Sequence, residues 1–268
     1  MLKPSRGTHM KRITSLCTAG LLTLGAGAAG ATELLALSAD GTLYKVDVAS
    51  LKVTASMAVS GASDLRGLDV RPASGQFYAL SGTDQLYTLD AASGQATAGS
   101  KLQTALSGSG QAVVDFNPVA DRLRLLGPDG TSLRVNVDTG EVAVDGKLAY
   151  AADGPYAGQQ PKVVAGAYTN AYAGTQSTAL YNIDLASASL MLQNPPNDGV
   201  QQLVGKVADD LEAAAMDIAS DGKGGNTAYV LTGKTLHQLD LASGKPTTLG
   251  EVAELPDGII DIAVLPAQ

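Results

Sequence analysis

One short phrase returns five times along this chain. Gly67-Leu68-Asp69-Val70 recurs as Val113-Val114-Asp115-Phe116, Gly166-Ala167-Tyr168-Thr169, Ala215-Met216-Asp217-Ile218 and Ile259-Ile260-Asp261-Ile262. The marker positions stand 46, 53, 49 and 44 residues apart. A period of about 40–50 residues built from short strands predicts an all-β, five-bladed β-propeller, each repeat forming one four-stranded blade.

Within a repeat the pattern is strand, tight turn, strand. In the second, Gly67–Val70 is followed by Phe77–Leu80, Leu86–Asp90 and a last strand ending near Leu102, with Gly, Asp, Ser or Pro at each boundary. The third copies it with Val113–Phe116, Leu123–Leu126, Leu133–Asp138 and Val142–Val144. Leu180–Asp184 resembles the third-strand motif seen at Leu43–Asp47, Leu86–Asp90 and Leu236–Asp240, but it begins only 12 residues after Tyr168. It is therefore read as the second strand of blade four, with Met191–Gln193 third and Pro195–Gly199 a turn before the fourth. Leu34–Leu37 opens a repeat lacking its first strand, and Ile259–Leu265 is a first strand with nothing after it. Pairing the two closes the ring and removes exposed sheet edges.

The N-terminus reads as a signal peptide over residues 1–31. Lys11 and Arg12 form a basic region, Leu16 to Ala28 an apolar one, and Ala29-Gly30-Ala31 a cleavage site. Residues 1–9, ahead of Met10, suit an upstream start or an appended segment. The expectation is a single domain over 32–268, periplasmic or extracellular, monomeric, with no integral membrane segment once the signal is removed. Cys17 is the chain's one cysteine and falls inside the signal, so no disulfide or thiolate metal site is expected. Without the signal, 14 basic face 26 acidic residues, a net charge of −12. Such a surface disfavours nucleic acid and anionic lipid.

The third and fourth repeats carry unrepeated words: Val114-Asp115-Phe116-Asn117-Pro118 with Asp121-Arg122-Leu123-Arg124, Leu133 to Gly140, Leu148-Ala149-Tyr150, and Gln193-Asn194-Pro195-Pro196-Asn197-Asp198-Gly199. This series resembles the bacterial family of domain of unknown function 4394 over essentially the whole of residues 32–268. The resemblance implies a propeller, often exported, and carries no established activity.

Two sets of residues could bear chemistry. Asp69, Asp115, Asp217 and Asp261 hold one place in four first strands, with Tyr168 in the fifth. Turned inward, four carboxylates ringing the channel would need a cation such as Ca²⁺ or raised pKa values. Turned between blades, they would accept backbone N–H groups from a neighbouring turn and brace the ring. The second set is a candidate pocket for a small polar ligand or a protein, formed by Asn117, Asp121, Arg122, Arg134 and Asn136 in blade three and Asn194, Asn197 and Asp198 in blade four. Its alternative is a set of inter-blade ion pairs and turn caps. The third-strand Asp47, Asp90, Asp138 and Asp240 precede Gly-containing turns and read as Asx-turn residues. Asp221–Asn226 lacks the ligand spacing of an EF-hand loop.

His237, the one histidine after residue 31, falls where Tyr44 and Tyr87 occur in other repeats and reads as a packing residue. Nucleotide-binding, metalloprotease and nucleophile-elbow motifs are absent. The expected function is therefore non-catalytic: a ligand-binding or envelope-associated scaffold without a cofactor. The alternatives are a Ca²⁺-assisted hydrolase or lyase using the channel carboxylates, and a repeat protein that docks a partner.

Overall fold

The computed structural model describes residues 1–2 and 32–266. The segment read as a signal peptide, Cys17 included, falls almost wholly on residues 3–31 and lies outside the described residues. Five antiparallel sheets form the blades. From the inside outward, blade one is Ile259–Val264, Glu33–Ser38, Thr42–Asp47 and Lys52–Ala58. Blade two is Leu65–Arg71, Gln76–Ser81, Gln85–Leu89 and Ala96–Lys101. Blade three is Val113–Asn117, Arg122–Leu126, Ser132–Val135 and Val142–Val144. Blade four is Val163–Tyr168, Leu180–Asp184, Ser189–Gln193 and Val200–Lys206, with Ala149–Tyr150 added in parallel on its outer edge. Blade five is Ala215–Ser220, Asn226–Thr232, Thr235–Leu239 and Pro246–Glu251.

The inner strands touch one another in cyclic order, and the last returns to the first. Closure is the expected one: Leu34 pairs Val264, Ala36 pairs Ile262 and Leu37 pairs Asp261. Blade four also takes the expected register, with 180–184 second and 189–193 third. Pro196–Asp198 is a single 3-10 turn, and among the described residues no helix is long and apolar enough to cross a membrane.

A propeller sheet is covered on both faces, so its strands bury residues of both parities. Tyr78, Leu80 and Leu86 of blade two meet Phe116, Leu123 and Leu125 of blade three. Ile183 and Leu190 of blade four meet Met216, Ile218 and Val230 of blade five. Blade one packs likewise against blade five through Leu34 and Ile262, and against blade two through Leu35 and Leu68. Each such side chain contributes about 1.5–3 kcal/mol when fully buried. The junction between blades three and four differs, since its apolar cluster is only Val113, Leu126, Leu148 and Val163.

The repeat's glycine has a packing reason. A Cβ on Gly67 would lie 2.7 Å from Asp261 Oδ2 and from Val114 Cγ2, and 2.8 Å from the Ala112 carbonyl. Blades one, two and three converge there, and only a residue without a side chain fits.

The turn after the third strand departs from expectation in blade three. Asp47, Asp90 and Asp240 do accept backbone N–H groups of their turns, from Ser50, Ala92 and Ala242. Asp138 does not. Asn136 takes that place, accepting the Asp138 N–H at 3.0 Å, while the Gly140 N–H closes on the Asn136 carbonyl as Gly94 does on Asp90. Asp138 instead pairs with Arg71 of blade two at 3.0 Å.

Candidate functional site

The four repeated carboxylates lie between adjacent inner strands. Asp69 accepts the Phe116 N–H of blade three at 2.7 Å, Asp217 the Val264 N–H of blade one at 2.5 Å, and Asp261 the Leu68 N–H of blade two at 2.9 Å. Each also accepts the N–H of its own following residue. Asp115 accepts the Tyr168 N–H of blade four at 2.9 Å. Each carboxylate thus latches its blade to the next. The donor is the neighbouring inner strand, where the bracing alternative in the sequence had invoked a turn. Tyr168, in the fifth place, cannot accept in this way. At the junction of blades four and five Asn170 and Asn226 bond reciprocally instead, Asn170 N–H to Asn226 Oδ1 at 2.7 Å and Asn226 Nδ2 to Asn170 Oδ1 at 2.9 Å.

Three of the four also reach the channel. Oxygens of Asp69, Asp115 and Asp217 lie within 4.8 Å of one another, and these residues line a cavity of about 280 Å³ together with Ala171, Tyr172 and Ala173. Those last residues belong to the 169–179 segment, the longest link between first and second strands in the molecule; its counterparts at 72–75, 118–121 and 221–225 are tight turns. Asp261 is buried but does not line the cavity.

Burial pushes the Asp217 carboxyl up to about 6, against the opposing pull of its two N–H donors. Burial pushes Asp69 and Asp115 well above the ordinary carboxylate range, and the neighbouring carboxylates raise both further. Asp261 is raised by burial as well. Such a group can share protons, move one in acid–base work, or hold a hard cation.

The second centre lies between blades three and four, where apolar packing thins. Arg124 is 1 % exposed and projects across the junction. Its guanidinium donates to Asp145 at 2.5 Å, Asn197 Oδ1 at 2.9 Å, Ser132 Oγ at 3.0 Å and the Tyr168 phenol at 3.2 Å. Asp145 also binds Arg134 in a two-point contact at 2.8 and 2.9 Å. Burial opposes ionisation of Asp145, but Arg134 and Arg124 outweigh it and hold the carboxyl below its ordinary range. Beside this network opens a groove of about 550 Å³. Its polar lining is Asn117, Tyr168, Gln176, Ser177, Thr178, Gln193 and Asn194, its apolar lining includes Val119, Leu180 and Leu192, and among the described residues no charged side chain lines it.

The candidate ligand residues therefore divide. Asn117 and Asn194 share the groove, although Asn117 Oδ1 also caps the next turn through the Val119 and Ala120 N–H groups. Arg134 and Asn197 join the Arg124 network behind it. Asp121 is tied to Arg71 of blade two, Arg122 donates to the Asp121 carbonyl at 2.9 Å, Asn136 serves its turn, and Asp198 is exposed outside the groove.

Arg124, Asp145 and Gln193 were missing from the sequence-derived set. Arg124 alternates with Leu123 and Leu125, which in an ordinary sheet places it in water. The signal lay in the fold: a blade has no solvent face at its second strand, so an arginine there must be buried and partnered.

No curated protein matches the sequence. A solved protein of unknown function from Bacteroides thetaiotaomicron is 21 % identical with a TM-score of 0.55, covering 87 % of this chain and 62 % of that one. The chain thus spans under two thirds of that structure's length, and the likeness is one of fold. A protein of unknown function from Bacteroides caccae aligns over 89 % of this chain and 100 % of that one, at 11 % identity and a TM-score of 0.45. The dihydro-heme d1 dehydrogenase NirN aligns over 81 % of this chain and 43 % of that one, at 14 % identity and a TM-score of 0.40. At TM-scores this low, neither informs the role of this chain. The sequence matches the family described as "Domain of unknown function (DUF4394)" over residues 42–263, and the chain belongs to that family.

Proposed function

We propose that the chain is an exported, non-catalytic binding propeller that seats a small, uncharged polar ligand in the groove between blades three and four. The observation that carries this is the groove's chemistry: amides and hydroxyls over an apolar base, uncharged, in a chain otherwise rich in acids. An uncharged lining spares an uncharged ligand the desolvation of a charge. The Arg124–Asp145 network behind the groove holds its wall rigid, and a preorganised wall lowers the entropy lost on binding. Export is supported by the basic, apolar and small-residue order of residues 11–31. N-terminal sequencing of the processed protein should begin at Thr32.

The test is capture of small molecules from an envelope extract on the immobilised protein, compared with Asn194→Trp, which obstructs the groove from an exposed position. A compound retained by the native chain and lost from the variant supports the reading. Retention unaffected by Asn194→Trp refutes it. Turnover of a lactone, glycoside or phosphoester that disappears in Asp115→Ala refutes the non-catalytic part.

A second reading is favoured by one observation, the mutual approach of Asp69, Asp115 and Asp217. Here the channel holds a cation such as Ca²⁺ that assists hydrolysis or elimination. A resident cation at about 100 times its Kd stabilises the fold by about 2.7 kcal/mol. An unfolding midpoint indifferent to both millimolar Ca²⁺ and EDTA would remove its basis.

A further inference from the structure

A separate cavity of about 360 Å³ lies where the chain enters blade five, between the 207–214 connector and the second and third strands of that blade. Val230 pairs with His237 and His237 with Thr248 across three adjacent strands, so the three side chains share one sheet face. Thr232, two residues from Val230, lies on the same face. The matching row is Ala36, Tyr44 and Ser56 in blade one, and Ala79, Tyr87 and Ala98 in blade two. Blade five alone of these three carries the shorter imidazole, and space opens beside it.

Both ring nitrogens of His237 are engaged, Nε2 with Thr232 Oγ1 at 2.9 Å and Nδ1 with Thr248 Oγ1 at 3.1 Å. The imidazole is therefore a fixed wall and not an open metal ligand. Burial holds it below its ordinary pKa, and so neutral at pH 7. Val207, Leu211 and Val230 supply apolar surface. The charged residues of the lining are Asp210 and Glu212, both exposed, and neither pairs with a basic side chain among the described residues.

We propose that this cavity binds a small amphipathic amine, its apolar body against Val207, Leu211 and Val230 and its ammonium group between Asp210 and Glu212. The volume lies within the range of small-molecule sites. Two unpaired carboxylates at the rim select a cation. A neutral imidazole does not repel one.

The experiment titrates the full chain with 2-phenylethylammonium, and separately with 2-phenylethanol and 3-phenylpropanoate, by calorimetry and by the His237 ring proton signal. The amine should bind about tenfold or more tightly than the alcohol, a difference of about 1.4 kcal/mol. Bound amine should also lower the pH midpoint of the His237 signal, because a neighbouring cation disfavours imidazolium. The double variant Asp210→Asn/Glu212→Gln, altered only at exposed positions, should weaken the amine about fivefold and leave the alcohol unchanged. His237→Tyr, the residue of blades one and two, should fill the space and abolish binding. Equal affinity for alcohol or acid, insensitivity to the double variant, binding retained in His237→Tyr, or no binding at about 10 mM amine would each overturn the proposal. None of these outcomes bears on the groove of blades three and four.

Discussion

Arg124 and Arg134 bind the same carboxylate, yet their removal should have very different consequences. Arg124 is 1 % exposed and serves Asp145, Asn197, Ser132 and Tyr168; the Arg134 side chain is 33 % exposed and serves Asp145 alone. Breaking a buried pair costs about 3–5 kcal/mol because the surviving charge stays desolvated. A partly exposed partner is compensated by water and is worth about 0.5–1 kcal/mol. For a domain of this size 1 kcal/mol moves Tm by about 2–4 °C. Arg124→Leu should therefore lower the midpoint by about 6–20 °C, and Arg134→Leu by about 1–4 °C. Thermal unfolding reads these shifts, and urea unfolding with unchanged m-values checks the energies, since a changed slope would signal loss of two-state behaviour. The double variant Arg124→Leu/Asp145→Leu carries the sharper test. If the loss arises because the buried Asp145 is left with only the partly exposed Arg134, removing the carboxylate as well should recover at least about 1 kcal/mol of it. Strict additivity of the two substitutions, or equal losses for the two arginines, would falsify this account of the junction.

Further outcomes follow from the latches and the ring. The Asp217 carboxyl is raised in the folded state, so its contribution is fully present below pH about 4 and is lost as pH climbs to about 6. The stability of Asp217→Asn relative to the native chain should accordingly rise by about 2 kcal/mol between pH 4 and pH 7, and a pH-independent difference would contradict the assigned burial. Gly67→Ala places a methyl group against Asp261 and the Ala112 carbonyl, and should cost about 1–3 kcal/mol in chemical denaturation. Ending the chain at Asp257 deletes the inner strand of blade one and exposes the edge of Glu33–Ser38; soluble yield should collapse, with aggregation visible by light scattering.

The difference between the two candidate centres explains how much could be read in advance. Repeat period and strand parity are local properties, and they were sufficient for the blade count, the joining of Leu34–Leu37 to Ile259–Leu265, and the placement of 180–184 as a second strand. The Asx-turn of blade three shows the limit even locally. Asp138 matched the motif, but the turn closed two residues earlier on Asn136 and left Asp138 to reach Arg71, 67 positions away. The latches show it at long range. The carboxylates were visible, but alternation states only which side of a strand a residue takes, not what lies there. The N–H that Asp69 accepts is 47 residues on, and the one bound by Asp261 is 193 residues back.

By itself, then, the sequence determined a closed ring of five blades, because hydrophobic period and turn residues act within a few residues of themselves. Tertiary structure decided which junction would be polar, because that depends on the meeting of Arg124 with Asp145 and with Asn197, 21 and 73 residues distant. It also decided that three of the four aspartates, Asp69, Asp115 and Asp217, would both brace the ring and face its channel. That dual position arises from how closely five inner strands converge on one axis, a distance no single repeat encodes.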